Sequence, residues 1–530
     1  MNMHFLNSEK GYSLFKGEAG YTTYVDKTLM VNAVYQYARK TKKHICVTRP
    51  RRFGKTTVAN MIAAFFDKST ASKSKLLFEA MAIGKLKNRS EKQDPSLCWS
   101  KQGKLNVIRI NMIDLIDDEI KSYRNFRYSL NRWLKEDLHE AYPSISLKNM
   151  KTPEILEKTG DEFIFVIDEW DAIFEARFMR EEDKQDYLLF LKDLLNRDYV
   201  HFAYMTGILP IAMRTCDSPL NMFHEFSSFE DSQFYPYFGL TEQEITDLMQ
   251  RQGFTKPSLS DLSSWYDGYV REDGIHVFNP MSVAKALGDK KCHSNWTTTG
   301  PMNEIKDIIQ RNVQDIREDV IRMVGGETLH VKLGGFSIEK PEATTKDEIL
   351  SAMVVYGFLS YSQGKLCIPN HELMLKFQQA LASNAMGLRQ TLDESTKLLE
   401  ATLARDGKQV ARLIEELHDD KIPFFQYSNE NSLACVVTVG YLAALDKYKI
   451  TREDKAGKGY VDFVFEPITK GDIPIILELK YNHSAKNALK CIHEKGYIKR
   501  FKNDKQVLLT GINYSSRTKK HTCLMELVEQ

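Results

Sequence analysis

The sequence predicts an α/β chain of more than one domain, and three observations predict it. A short β-prone run leads through a glycine-lysine-threonine turn into an apolar helix near residue 50. A wholly apolar strand ends in two acids near residue 168. A hairpin near residue 470 carries charged residues at matched distances from its turn. At 530 residues the chain exceeds what one hydrophobic core supports, so two to four domains are expected.

Composition narrows the class. The chain is 42% hydrophobic and 27% charged, with a net charge of +2, so overall charge names no partner. The opening "MNMHFLNSEKGYSLF" lacks the long apolar centre of a secretion signal, and no apolar run reaches membrane-spanning length. The eight cysteines are scattered without a C-x-x-C pair, which argues against a zinc ribbon or a disulfide framework. A reducing cytoplasm is the expected location, with no membrane partner. There is no internal repeat and no low-complexity tract.

The first element is "HICVT" (44–48), short and β-prone, followed after "RPRRFGK" by "TTVANMIAAFF" with helical spacing of apolar residues. The intervening turn has most of a phosphate-binding loop, G-x-x-x-x-G-K-[ST], because Gly54, Lys55 and Thr56 supply its last three positions. Arg49 stands where the first glycine belongs. A helix N-terminus offers free N–H groups and a favourable dipole to phosphate. Lys55 is expected to reach the terminal phosphates of ATP, and Thr56 to bind Mg²⁺. Residues 39–66 hold eight Lys or Arg and no acid, and the guanidiniums of Arg49, Arg51 and Arg52 are expected to supplement the phosphate contacts. Arg52, Gly54 and Thr57 complete the expected nucleotide-contacting set. The bland alternative is a basic turn that happens to contain GKT.

The second element is "EFIFVIDEWDAIF" (162–174). In P-loop ATPases a buried strand delivers an Asp to the Mg²⁺ shell, and a following acid polarises water. Asp168 and Glu169 fit those two roles. A third strand, "HFAYMTG" (201–207), ends in Thr206, which fits a polar sensor beside the γ-phosphate as readily as an ordinary strand end. Arg177, Arg180 and Arg214 are candidates for an arginine finger with nothing to choose between them. Assembly is therefore left open, a homo-oligomer included.

These segments resemble AAA-ATPase-like proteins of anaerobic and gut bacteria that carry a C-terminal nuclease-like domain. The matching pieces are "YVDKTLM" (24–30), "TRPRRFGKTT" (48–57), "VIDEWDAIF" (166–174), "YMTGILPI" (204–211), "FGLTEQEI" (238–245), "WYDGY" (265–269), "VFNPMSV" (277–283) and "NWTTTG" (295–300). The resemblance implies that Arg49 at the first-glycine position is a family feature. In the middle, Thr241 is placed as an N-cap with Glu244 as its capping-box partner. "WYDGY" reads as a packed loop closing the core. The apolar "EILSAMVVYGFLSY" (348–361) and "KLCIPNHEL" (365–373) are assigned to a connector.

The last element is "GYVDFVFEPITKGDIPIILELKY" (459–481), two β-prone runs around "TKGD". Centred near Lys470, the hairpin puts Asp462 eight residues before the turn and Glu478 eight after, opposite one another on one face. Lys480, two residues further on, shares that face. Burying such charges without a purpose is costly. Paired carboxylates suit Mg²⁺, and a lysine beside them can orient the attacking water and offset phosphodiester charge. This D-x15-E-L-K spacing is similar to that of PD-(D/E)XK nucleases. The resemblance further implies a metal role for Glu430, and an auxiliary Gln six residues before Tyr497, where this chain has Cys491. Residues 470–530 carry 12 Lys or Arg against 6 Asp or Glu, a balance that suits a nucleic-acid backbone, DNA rather than RNA.

The expected fold class is thus α/β throughout. Residues 1–290 form a P-loop NTPase domain of AAA/ASCE-like type, 291–389 a mostly helical connector, and 390–530 a restriction-endonuclease-like α/β domain. The expected activity is ATP hydrolysis with Mg²⁺-dependent nucleic-acid cleavage. The alternative is an NTPase switch whose C-terminal domain binds nucleic acid or a partner without cutting.

Overall fold

Buried parallel strands read as mostly apolar runs, and Phe163–Asp168, with FIFVI before its acid, is the clearest such strand of the first half. In the computed structural model, α1 (Lys10–Ala19) precedes β1 (His44–Thr48), α2 (Lys55–Phe66), β2 (Asn106–Asn111), β3 (Phe163–Asp168), β4 (Val200–Gly207) and β5 (His224–Phe226). The model describes residues 4–87, 97–116, 119–211, 219–227, 233–271, 273–295, 313–333, 345–382, 389–421, 430–456, 459–469, 471–502 and 504–529. The five strands form one parallel sheet in the order β2-β3-β4-β1-β5. Strand alternation divides the core. Phe163, Phe165 and Ile167 face a layer containing helices Tyr123–Ala141 and Glu181–Leu195. Ile164 and Val166 face α2 and helix Leu29–Lys40. The phosphate loop and the acid pair leave the same, carboxyl-terminal edge of this sheet, where ligands of open α/β sheets bind.

Thr241 and Glu244 form the expected capping box at the start of helix Glu242–Gln252. Tyr269 of the "WYDGY" stretch is buried, and its hydroxyl donates to Gly357 O at 2.6 Å.

By contacts the chain divides into two units. The first contains residues up to 295 together with 351–363. The second contains 313–333, 345–350 and 364–529. The stretch expected as a separate connector, 291–389, is therefore shared between the two rather than standing alone.

In the second unit α3 (Glu430–Gly440) is followed by β6 (Tyr448–Ala456), β7 (Gly459–Pro467), β8 (Ile475–Tyr481), α4 (Ala485–Lys495), β9 (Gln506–Ser515) and β10 (Lys520–Glu529). The sheet runs in chain order. It is antiparallel except for the β8–β9 pair, which α4 joins as a crossover. Ser484 caps α4, accepting from Asn487 N at 3.1 Å.

Candidate functional site

The turn between β1 and α2 needs two left-handed residues, Arg52 (φ +71°) and Gly54 (φ +89°). Glycine adopts that conformation without strain. Nothing lies within 4 Å of a Cβ built on Gly54, so backbone conformation, not space, favours glycine there. Lys55 is 4% exposed. Its ammonium donates to Pro50 O at 3.3 Å and lies 3.8 Å from Glu169 Oε1. Behind the loop, Phe53 packs edge-on against Tyr269 with ring centroids 5.1 Å apart. Pro50 meets Gly357, where a Cβ would come within 2.5 Å of the proline ring.

The β2–β3 register sets Asn111 beside Asp168 at the sheet edge. Asp168 is fully buried, and its Oδ2 accepts from Asn111 Nδ2 at 2.9 Å. Its Oδ1 is buried without a hydrogen-bond partner, facing the neighbourhood of Thr56. Burial first, then the charge of Glu169, pushes the Asp168 carboxyl up to about 6. An orphaned acid oxygen beside a threonine hydroxyl, a lysine and a second acid fits a hard divalent cation.

Lys55, Thr56 and Glu169 border a cavity of about 510 Å³, within the roughly 300–1,000 Å³ range of small-molecule sites, with Asp168 buried behind them. Arg51, Arg52, Gly54, Lys55, Thr56, Thr57 and Glu169 give its polar lining. Tyr24, Val25, Leu240, Met281 and Ala284 give much of the rest. An anionic group and a flat apolar one are both accommodated.

Two expectations are corrected. Arg49 does not face the cavity. It is 2% exposed, donates from Nη1 to Thr48 O (2.6 Å) and Phe226 O (2.8 Å), and lies over the rings of Tyr235 and Phe238 at 5.1 and 5.0 Å. It fastens β1 to β5 and an aromatic cage, which leaves its guanidinium no reach to phosphate. Thr206 is fully buried, and its hydroxyl donates to Val47 O at 2.8 Å. It ties β4 to β1 and is absent from the cavity lining, so its hydroxyl is occupied where a sensor's would be free.

Of the finger candidates, Arg180 holds Asp183 at the start of its helix at 2.9 Å, Arg177 is exposed, and Arg214 lies outside the described residues. Three residues were missed: Asn111, Glu18 and Asp171. Asp171 is buried and accepts from Ile208 N and Leu209 N at 2.9 and 2.7 Å. Asn111 had one signal in the sequence, since it ends an apolar strand as Asp168 does.

In the second unit β7 and β8 pair with Phe463 opposite Leu477, Val464 opposite Ile476 and Phe465 opposite Ile475. One step further in the same register sets Asp462 with Glu478. Asp462 Oδ2 accepts from Leu479 N at 2.7 Å. Glu478 is 2% exposed. Its Oε1 is 3.2 Å from Lys480 Nζ and accepts from Cys491 Sγ at 3.0 Å, with Lys495 Nζ at 3.9 Å. Its Oε2 is buried without a partner.

Burial, then the Glu478 charge, raises the Asp462 carboxyl to about 6. Burial works to lower the Lys480 ammonium, but Glu478, Glu430 and Asp462 together hold it above its ordinary value. Two close carboxylates, one with an open oxygen, fit a divalent cation. Glu430 is placed differently: it heads α3, and its Oε1 is 3.7 Å from Lys480 Nζ. Among the described residues no group of three or more His, Cys, Asp or Glu is arranged to hold a metal. In this structure the carboxylate of Glu430 is a neighbour of the Lys480 ammonium. Cys491 donates to the acid that a glutamine amide could serve equally from that helix position, and Tyr497 is fully buried beneath Lys495.

Residues 15–216 match the family model described as "Predicted AAA-ATPase", and residues 428–522 match that of the PD-(D/E)XK nuclease superfamily. No curated protein matches the chain. Among solved structures, a Walker-type ATPase of Pyrococcus abyssi is similar at 12% identity, over 65% of this chain and 94% of its own, with a TM-score of 0.34. The ORC2 protein of Aeropyrum pernix, in ADPNP–ADP complexes, is similar at 11% identity, over 66% of this chain and 93% of its own, with a TM-score of 0.31. No described helix is long and apolar enough to cross a membrane.

Proposed function

We infer, from a chain that joins an AAA-ATPase-like domain to a PD-(D/E)XK nuclease-superfamily domain, that it cuts nucleic acid with Mg²⁺ and that ATP licenses the cut. The observation carrying the nuclease reading is the register that sets Asp462 with Glu478, whose Oε1 meets Lys480 while its buried Oε2 has no partner. Lys55 and the N–H groups opening α2 bind the phosphates of ATP. Thr56 and Asp168 hold the nucleotide's Mg²⁺, and Glu169, within 3.8 Å of Lys55, orients the attacking water. Asp462 and Glu478 hold the second Mg²⁺ site. Lys480 positions the attacking water and offsets phosphodiester charge, with Glu430 keeping it protonated. Bound Mg²⁺ supplies charge neutralisation and an acidified water at each site.

DNA is the expected substrate ahead of RNA. The exposed Lys486, Lys490, Lys499, Lys502 and Lys505 support contact with a phosphate backbone. The scattered cysteines support a cytoplasmic setting, and family likeness supports a defence or mobile-element role.

The test is cleavage of plasmid DNA and of RNA with Mg²⁺, with and without ATP, beside Asp462→Ala and Lys55→Ala. Cleavage lost in Asp462→Ala, and ATP dependence lost in Lys55→Ala, support the reading. ATP hydrolysis without cleavage under any condition overturns the nuclease half and leaves a nucleotide-driven switch.

A further inference from the structure

Glu18 and Tyr24 line the cavity beside the phosphate loop; Glu18 Oε2 is buried without a hydrogen-bond partner, and the Tyr24 hydroxyl is buried beside the backbone N–H of Lys27. Glu18 comes from the last turn of α1, an element the nucleotide reading above does not use. Its carboxyl also bonds the hydroxyl of Thr57 and lies in the field of Arg109. Thr57 directly follows Thr56 in the first turn of α2, so the Glu18 carboxyl lies beside the residue next to the expected phosphate-binding threonine. In a nucleoside triphosphate the group one step past the phosphates is the sugar.

A buried acceptor left unpaired is unfavourable, and a ligand presenting a hydroxyl to it relieves that cost. A ribose diol presents two O–H donors that are also acceptors. A carboxylate takes the donors, and a phenol can take either role. The lining residues Val25, Leu240 and Met281 offer no such group.

We propose that Glu18 and Tyr24 bind the ribose hydroxyls and make this pocket selective for ribonucleotides over deoxyribonucleotides. The proposal rests on the nucleotide reading of the cavity. Its physical basis is that a site built to bond a hydroxyl rejects the analogue lacking it, because the polar group is then left buried and unpaired.

The test is calorimetric binding of ATP, 2′-deoxy-ATP, 3′-deoxy-ATP and GTP to the full chain, wild type beside Glu18→Gln, Glu18→Ala and Tyr24→Phe, with a thermal melt of each. Wild type is expected to favour ATP over at least one deoxy analogue by about tenfold or more. Glu18→Ala is expected to bring ATP and that analogue within about twofold, with Glu18→Gln in between. Equal weakening toward every nucleotide overturns the proposal and makes Glu18 a positioning residue for Thr57. So does a change confined to the ATP-to-GTP ratio. No ATP binding by folded wild type overturns the nucleotide reading and the ribose proposal with it. ATP binding without sugar discrimination overturns only the latter.

Discussion

Replacing Asp462 by asparagine should make the protein more stable while removing the cut. The Asp462 carboxyl is buried next to Glu478, and its pKa rises from an ordinary 3.8 to about 6, chiefly through burial and next through the Glu478 charge. A group whose folded pKa is raised contributes stability that is full below its unfolded value and is lost as pH rises through the folded value. The window is therefore pH 4 to 6, and above it the folded unit carries a penalty. The difference between 3.8 and about 6 corresponds to about 3 kcal/mol. Asparagine never ionises, and its amide oxygen still accepts from Leu479 N. In metal-free buffer at pH 7.5, Asp462→Asn should raise the melting temperature of the C-terminal transition by roughly 5–10 °C. The gain should shrink toward zero near pH 4. Added Mg²⁺ should stabilise wild type and leave the variant where it was, so the two curves approach one another. Thermal melts from pH 4 to 8, with EDTA and with Mg²⁺, read all of this. A variant that melts lower than wild type at pH 7.5, or a gain that ignores pH, would refute the argument that the pair is held under strain for a cation.

Other outcomes follow from the same geometry. Glu169→Gln should leave ATP binding within about threefold and lower hydrolysis by about 100-fold or more, read by single-turnover phosphate release. Arg49→Met should destabilise the N-terminal unit by about 2–4 kcal/mol in urea melts, with the ATP affinity of the folded fraction unchanged. Thr206→Val should cost about 1 kcal/mol and leave hydrolysis intact, the opposite of what a γ-phosphate sensor would show. Gly54→Ala meets no clash but must hold φ +89°, so it should fold with a penalty of about 1–2 kcal/mol and bind ATP more weakly.

Where the governing physics is local, these sites could be read from the chain. Gly54, Lys55 and Thr56 are consecutive, and the strand before Asp168 announces itself by apolarity alone. The Asp462–Glu478 pairing was legible because hairpin register depends only on distance from a turn. What depended on distant partners was not legible. Arg49 looked like a phosphate ligand because its neighbours are. Its actual partners, Phe226, Tyr235 and Phe238, lie about 180–190 residues downstream, and nothing in the phosphate-loop sequence indicates them. Thr206 was misjudged for the same reason, since the β1–β4 pairing claims its hydroxyl. Asn111 and Glu18 reach the site from elements whose apposition no periodicity reveals. Glu430 heads the expected helix, and only the position of the Lys480 ammonium shows which partner it takes.

The contact of Pro50 and Phe53 with Gly357 and Tyr269 has a consequence for how the chain is made. Gly357 leaves the ribosome about 300 residues after Lys55, an interval of roughly 15–60 s at ordinary rates of synthesis. For all of that time the nascent chain contains the phosphate-loop sequence without the Gly357 contact that covers Pro50. A fragment ending at residue 295 would stay in that condition, with one side of Pro50 uncovered. The loop's final shape is set late, by residues made after every strand of its own sheet.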